Sequence, residues 1–140
     1  MHFKSARELR KILDEVMKEI DSDPDDGPRL RSAAAPLRLE FTDLKLVLNI
    51  AKADDGHLQW DFSKRSPNKP KLALSMDSDF GNRLLQGREN AAIAIARGRL
   101  HTTVVDPGAA LRFFPAVKPL FSRYRELVSE KYPHLALDPE

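Results

Sequence analysis

The chain has 140 residues, with 23 lysines and arginines against 21 aspartates and glutamates, so its formal net charge is only +2 although its pI is about 9.0. This length predicts one domain over residues 1–140 with a real hydrophobic core. The chain has no cysteine, which excludes disulfides and thiolate metal sites, and its charged residues 1–20 do not resemble a signal peptide. We therefore expect a free-standing cytoplasmic protein.

The first predicted element is an amphipathic helix within residues 1–20. Ser5 and Glu8 have the spacing of a capping box at its start. Apolar residues then recur on one face with the period of a helix: Leu9, Ile12, Leu13, Val16, Met17 and Ile20. Residues 21–36 are interpreted as a surface connection, because prolines and a glycine interrupt any regular pattern there.

An alternation of apolar and polar residues replaces the helical period after Pro36, and it predicts four strands. The apolar positions are Leu37, Leu39 and Phe41, then Leu44, Leu46, Leu48 and Ile50, then Leu58, Trp60 and Phe62, and finally Leu72, Leu74 and Met76. Asp54-Asp55-Gly56 favours a tight turn between the second and third strands. A sheet with one apolar face must be covered by helices.

Two covering helices are predicted directly after the fourth strand. Asp77 or Ser78 can cap the first, which ends at Gly87, and Asn90 can cap a shorter one that ends at Gly98. The residues of the shorter helix are small or β-branched, which favours a close approach to the sheet.

The last predicted elements are a strand over residues 100–105 and a long helix that Asp106-Pro107 can start. Pro115 and Pro119 interrupt this helix because proline lacks an amide hydrogen and clashes with the preceding turn, so we expect a kinked or two-part helix. The predicted fold class is therefore α/β (α+β). It has a five-stranded mixed, largely antiparallel β-sheet with one face covered by helices, and the sheet and its helices span residues 37–131.

Ten residues of this second half occur in the order of a known family pattern: Leu74, Met76, Asp79, Phe80, Leu84, Gly87, Asn90, Gly98, Leu100 and Asp106. The order resembles the sterol carrier protein domain, a family also called non-specific lipid-transfer proteins, and the resemblance extends from Leu37 to about Val128. Residues 137–140 are not a peroxisomal address, so we expect a bacterial member of that family. The resemblance implies an apolar tunnel between sheet and helices that binds or transfers a fatty acyl chain, a sterol or a similar lipid, without catalysis and without a cofactor.

The aromatic stripe of the last helix has two interpretations. Phe113, Phe114 and Phe121 lie at helical spacing, and such a stripe by itself is typical of an ordinary helix core. In the family the C-terminal helix lies near the mouth of the tunnel, which places the stripe at the candidate site. Twelve residues are predicted lipid contacts on this basis: Trp60, Phe62, Leu74, Met76, Phe80, Leu84, Ile93, Phe113, Phe114, Val117, Leu120 and Phe121.

Catalytic and metal motifs are weak in this sequence. The acidic residues Asp21, Asp23 and Asp25 imitate the start of a calcium loop, but Asp26 stands where glycine is needed and Ser32 where glutamate is needed. The four histidines are scattered, and no serine has the context of a nucleophile elbow. The sequence therefore predicts neither a metal site nor an enzyme.

Basic clusters raise the question of a charged partner. Arg29, Arg31 and Arg38 form one cluster, and lysines and arginines between residues 64 and 71 form another. Solvated surface is the favoured interpretation, because a nucleic-acid recognition motif is absent. The partners that we expect are a hydrophobic small molecule or lipid, a transient contact with an anionic membrane surface and a homodimer, with no nucleic acid.

The sequence also allows a function of a different class. The domain would then be a protein interaction or dimerisation module whose pocket is filled by its own side chains, accessory to a lipid-metabolising enzyme.

Overall fold

A computed structural model describes residues 3–33, 36–65, 70, 72–103 and 114–137 of the chain. Within these ranges five helices and five strands occur, and their bounds are α1 Ala6–Ser22, α2 Asp26–Ala33, β1 Leu37–Phe41, β2 Leu46–Lys52, β3 Leu58–Asp61, β4 Leu72–Met76, α3 Ser78–Leu85, α4 Ala91–Ala96, β5 His101–Thr102 and α5 Phe114–Lys131.

The strands form one mixed sheet in the order β3-β2-β1-β4-β5. β1 pairs in parallel with β4, whereas the other neighbouring strands pair antiparallel. Leu39 lies at the centre of the sheet, opposite Leu48 on one side and Leu74 on the other. The predicted fold class, a five-stranded and largely antiparallel sheet, is confirmed.

The core lies between one face of this sheet and the helices. Along β1 the residues alternate between buried and half-buried, as the period-two pattern predicts. The buried face of α1 consists of the six apolar residues predicted for it, all with no solvent exposure. Buried residues of α3 and α5 belong to the same continuous core, so the helices cover the apolar face of the sheet.

Side-chain caps fix the helix ends close to the predicted positions. The Ser5 hydroxyl accepts a hydrogen bond from the Glu8 amide at 3.2 Å, and the Asp77 carboxylate accepts one from the Phe80 amide at 2.7 Å. Asn90 caps α4 by accepting from the Ile93 amide at 3.1 Å. These three polar side chains satisfy amide groups that have no partner within their own helix.

The segment 21–36 contains a helix that the sequence pattern did not predict. The Asp23 carboxylate starts α2 by accepting hydrogen bonds from the amides of Asp25 and Asp26, at 2.8 and 2.9 Å. Among the described side chains of this helix, Leu30 is the one fully buried apolar residue. An eight-residue helix with one buried leucine leaves too short a hydrophobic pattern to be recognised in the sequence.

Two further boundaries differ from the prediction. β2 begins at Leu46 instead of Leu44, because residues 42–45 form the turn from β1 and Lys45 adopts a positive φ of 52° there. α5 runs without a break through Pro119, so the helix is not divided into two parts at that proline, and the alternative, a kink, stays a prediction. The start of that helix at Asp106-Pro107 and the end of the fifth strand lie outside the described residues.

Candidate functional site

An apolar cavity lies between the inner face of the sheet and the helices α3 and α5. Its volume is about 10 Å³, which is about the space of a single water molecule. The described residues that line it are all hydrophobic: Leu37, Leu39, Phe41, Leu74, Met76, Leu84, Leu85, Val117, Leu120 and Phe121. None of these side chains offers a hydrogen-bond partner to a water molecule, so this part of the cavity suits a hydrocarbon group.

Strand pairing and helix periodicity together bring the lining residues into one place. The parallel register sets Leu39 beside Leu74 and Phe41 beside Met76 on the inner face. Residues 117, 120 and 121 of α5 are three and four positions apart and therefore share one side of that helix. Val117 and Leu120 are buried, whereas Phe121 is only half-buried, which places Phe121 at the boundary between the cavity and solvent.

Gly81 allows α3 to lie close against the sheet next to this cavity. A Cβ atom on Gly81 would come within 2.7 Å of the Phe41 ring and 3.3 Å of the Met76 sulfur. Both of those side chains line the cavity. Any larger residue at position 81 would therefore push α3 away from the sheet and change the width of the cavity.

A buried polar cluster joins α3 to α5 next to the residues that line the cavity. The Asn82 side-chain oxygen accepts hydrogen bonds from the Tyr124 hydroxyl and from the Gln86 amide, both at 2.7 Å. The Asn82 and Gln86 side-chain amides donate to the Leu135 carbonyl at 3.0 and 2.9 Å. The cluster thus fixes the distance between the two helices that line the cavity. Burial raises the pKa of Tyr124 far above its usual value, so its hydroxyl stays protonated as a donor.

The polar side-chain contacts described for α5 begin at Arg123 and continue towards the C-terminus. The Arg123 guanidinium binds the carboxylates of Asp23 and Asp26 at 2.7 and 3.5 Å. About two helical turns after Tyr124, Lys131 and the Tyr132 hydroxyl contact Glu15 at 3.4 and 3.1 Å. The part of α5 that lines the cavity precedes all of these anchors and is packed through apolar side chains.

The structure brings six of the twelve predicted lipid contacts together at the cavity. These six are Leu74, Met76, Leu84, Val117, Leu120 and Phe121. Four more lining residues were not predicted: Leu37, Leu39, Phe41 and Leu85. Leu37, Leu39 and Phe41 are the inward-facing residues of β1, as Leu74 and Met76 are of β4. The sequence pattern shows this orientation, but only the pairing of β1 with β4 shows that these residues share the site.

The other predicted contacts lie elsewhere. Trp60 and Phe62 line a separate open groove between α1 and β3, where the Trp60 ring nitrogen donates to Asp14 at 2.8 Å. Phe80 is buried on α3 without lining the cavity, and Ile93 is 51% exposed on α4. Phe113 and the side chain of Phe114 lie outside the described part of the chain.

No activated nucleophile forms among Ser75, His101 and His57. Ser75 and His101 lie opposite each other on β4 and β5, but no hydrogen bond joins them within the described structure. His57 instead contacts Asp21 at 3.3 Å on the exposed side of the β2–β3 turn. Activation of a serine hydroxyl requires a base within hydrogen-bond reach.

The acidic residues that imitate a calcium loop have structural partners instead. Asp21 accepts a hydrogen bond from the Leu58 amide at 2.8 Å, and Asp23 caps α2. Among the described residues no group of three or more potential metal ligands comes together. In the same part of the chain, no helix is both long enough and apolar enough to cross a membrane.

Some residues of the predicted basic clusters are used inside the fold. Arg31 donates to the Ala53 carbonyl at 3.0 Å, and Arg38 donates to the Lys64 carbonyl at 2.9 Å. Part of the charge in these clusters is therefore committed to holding loops and strand ends.

Comparison with solved structures identifies the fold. The crystal structure of sterol carrier protein 2 superposes with a TM-score of 0.56 at 12% identity, covering 83% of this chain and 95% of that chain. The chain has the sterol carrier protein fold. A Thermus thermophilus protein suggested to be a sterol carrier protein gives the same TM-score at 14% identity, covering 93% of this chain and 90% of that one. The resemblance seen in the sequence is thus confirmed at the level of the fold.

A second group of matches concerns part of a larger enzyme. The sec-alkylsulfatase Pisa1 from Pseudomonas matches with a TM-score of 0.50 at 17% identity, covering 63% of this chain. This chain spans only 13% of that sulfatase, and 16% of a double mutant of it. The likeness therefore concerns one portion of the sulfatase. No protein-family model matches the sequence, and no curated protein matches it either.

Proposed function

We propose that this protein binds a hydrophobic ligand, such as a fatty acyl chain or a sterol, in the apolar cavity between β1, β4, α3 and α5. The observation that carries the proposal is the composition of the lining, in which all ten side chains that the structure describes are hydrophobic. The sterol carrier protein fold supports the same function. Transfer of the ligand between cellular membranes in a cytoplasmic setting is part of this proposal.

The cavity must widen to admit such a ligand, because its present volume is about 10 Å³, which is about the space of a single water molecule. α5 is the wall best suited to move. Its anchors to α1, α2 and α3 begin at Arg123, and Pro119 cannot donate a backbone hydrogen bond to the Pro115 carbonyl. We propose that the first two turns of α5 swing outward while residues from Arg123 onward stay fixed.

The size of the hydrophobic effect makes binding feasible. Removing about 400 Å² of ligand surface from water gives on the order of 10 kcal/mol at about 25 cal/mol per Å². Loss of translational and rotational freedom costs at least about 4 kcal/mol, and the displaced helix turns lose packing. At most about 6 kcal/mol then remains, so the expected Kd is on the order of tens of micromolar or weaker.

Titration with saturated fatty acids of increasing length tests the proposal. Each added methylene should improve the free energy of binding by up to about 0.8 kcal/mol until the widened cavity is full. Displacement of a fluorescent fatty acid gives the affinities. An affinity that does not change with chain length would contradict a chain-binding cavity. If the protein is purified as a dimer without ligand and binds none of these fatty acids, an interaction module with a filled pocket would be favoured.

A matched pair of variants locates the site on α5. Phe121→Asp places a carboxylate at the boundary of the cavity, where it must be desolvated against the acyl chain, so the affinity should fall more than tenfold. Ser122→Asp adds the same charge to the next residue, which is exposed, and should leave the affinity within about twofold. Circular dichroism checks that both variants are folded. Equal affinities in folded Phe121→Asp and the unmodified protein would place the ligand elsewhere.

A further inference from the structure

The exposed face of helix α4 is apolar. All six residues of Ala91–Ala96 are alanine or isoleucine, yet only Ala94 is buried. At 100° per residue, positions 92, 93 and 96 lie on the side away from Ala94. Ala92 and Ala96 are exposed there, and Ile93 at 51% is the one large hydrophobic residue exposed among those that the structure describes. We call these three residues the α4 patch.

The same protein shows what an ordinary solvent-facing helix surface contains. The exposed side of α1 carries Arg7, Arg10, Lys11 and Glu19, and its opposite side is fully buried. α4 has no polar side chain on either side, and a helix that is apolar all round is normally covered. The α4 patch is therefore a surface suited to an apolar environment.

The chain on both sides of the patch is rich in arginine. Arg83, Arg88, Arg97 and Arg99 precede or follow α4 closely, and we call them the arginine rim. Glu89 is the one acidic residue between positions 80 and 105. Its carboxylate is already paired, at 2.9 Å from Arg83 and 3.9 Å from Arg99. Arg97 is exposed and has no ion pair within the described structure. Residues 83–99 contain four arginines and one glutamate, so this segment carries a net positive charge.

We infer that the α4 patch and its arginine rim form the surface by which this protein docks on an anionic lipid bilayer. A second copy of the chain is a poor occupant, because it would bring the same arginines into contact with this rim. A partner protein would need about 800 Å² of contact on each side, and a helix of six residues is only about 9 Å long. A bilayer requires no such area, since a few inserted apolar side chains add to the attraction between basic residues and anionic headgroups.

The inference rests on the proposed function in one respect, because docking gives a hydrophobic ligand a route from a membrane to the cavity. The two can still be tested apart. Docking is measured with vesicles and no added ligand, whereas ligand binding is measured in solution with fatty acids and no vesicles.

Sedimentation with phosphatidylcholine vesicles, with and without phosphatidylserine, tests the docking surface. The unmodified protein should bind the vesicles that contain phosphatidylserine, and added salt should weaken this binding. Ile93→Asp should bind at least tenfold more weakly. Arg97→Gln should bind these vesicles about fivefold more weakly, because one cation near the membrane surface contributes about that much to the affinity. Lys11→Gln removes the same charge from α1 and should change binding less than twofold.

Two results would refute the docking surface. In the first, the unmodified protein does not bind vesicles that contain phosphatidylserine. In the second, Lys11→Gln loses as much vesicle affinity as Arg97→Gln. All three variants change exposed side chains, so their thermal unfolding and their affinity for fatty acids in solution should match those of the unmodified protein. Vesicle binding that persists when fatty acids fail to bind would refute the proposed ligand site and leave the docking surface intact.

Discussion

At the scale of single residues, the side chains beside the cavity are held by a polar cluster that is closed to solvent. Asn82 is 1% exposed and Tyr124 is fully buried, and the Asn82 oxygen accepts two hydrogen bonds of 2.7 Å. Buried polar groups are costly when unpaired, and each partner here keeps the others satisfied. This cluster joins α3 to α5, so the leucines of both helices can line an apolar cavity without forming polar contacts of their own.

Removing single members of this cluster should therefore have unequal effects. Tyr124→Phe deletes one donor while Gln86 still donates to Asn82, so the free energy of unfolding should fall by about 1 kcal/mol. Asn82→Ala leaves the buried Tyr124 hydroxyl without its acceptor and removes the bond to Leu135, and should cost about 2–3 kcal/mol. Urea unfolding measures both, with exposed Ser122→Ala as a control expected within about 0.5 kcal/mol. Equal losses in the two cluster variants would show that Asn82 does not organise it.

At the scale of secondary structure, local patterns predicted most elements because their signals lie within a few residues. The caps Ser5, Asp77 and Asn90 and the strand alternation are signals of this kind. The cavity depends instead on the parallel pairing of β1 with β4, which joins residues about 35 positions apart in the chain. Leu37, Leu39 and Phe41 were therefore recognised as inward-facing residues but not as part of the candidate site.

The division of α5 into an apolar first part and an anchored second part leads to a prediction for hydrogen exchange. If the first part moves to admit a ligand, a saturating fatty acid should slow amide exchange in residues 117–122 more than in residues 46–50 of the interior strand β2. Pro119→Ala restores an amide hydrogen that can donate to the Pro115 carbonyl. This variant should show slower exchange without ligand and a smaller change on binding. Equal protection of both segments by the ligand would contradict a moving wall.

At the scale of the whole molecule, α1 and the turn after it connect parts of the chain that are distant in sequence. Glu8 contacts His134 at 3.1 Å near the C-terminus. Asp14 accepts from the Trp60 ring on β3, and Asp23 joins the start of α2 to Arg123 on α5. Three carboxylates thus hold the C-terminal segment, the edge of the sheet and the anchored part of α5, so their ionisation contributes to the integrity of the entire fold.

The pKa values of these carboxylates predict how stability depends on pH. The hydrogen bond from Trp60, followed by that from Lys18, lowers the pKa of Asp14. Burial alone would raise the pKa of Glu8, but the hydrogen bond from the Lys4 amide and the contact with His134 outweigh it and lower that pKa. Hydrogen bonds from the amides of Asp26 and Asp25 lower the pKa of Asp23. A group whose pKa is lower in the folded state stabilises the fold above its unfolded pKa, and this stabilisation is lost as the pH falls through the folded value.

The free energy of unfolding should therefore be steady from neutral pH down to about 5 and should fall below about pH 4, where aspartate and glutamate side chains of the unfolded chain take up protons. Asp14→Asn keeps the shape of the side chain but cannot titrate, so it should lower stability at neutral pH and reduce the slope of stability against pH in the acid range. Glu19→Gln is the matched control, because Glu19 is an exposed carboxylate on the same helix, and its slope should equal that of the unmodified protein. Urea unfolding at a series of pH values measures the slopes. If the slope of Asp14→Asn is as steep as that of the control, the hydrogen bond between Asp14 and Trp60 does not contribute to the loss of stability in acid. Packing alone would then join α1 to the edge of the sheet.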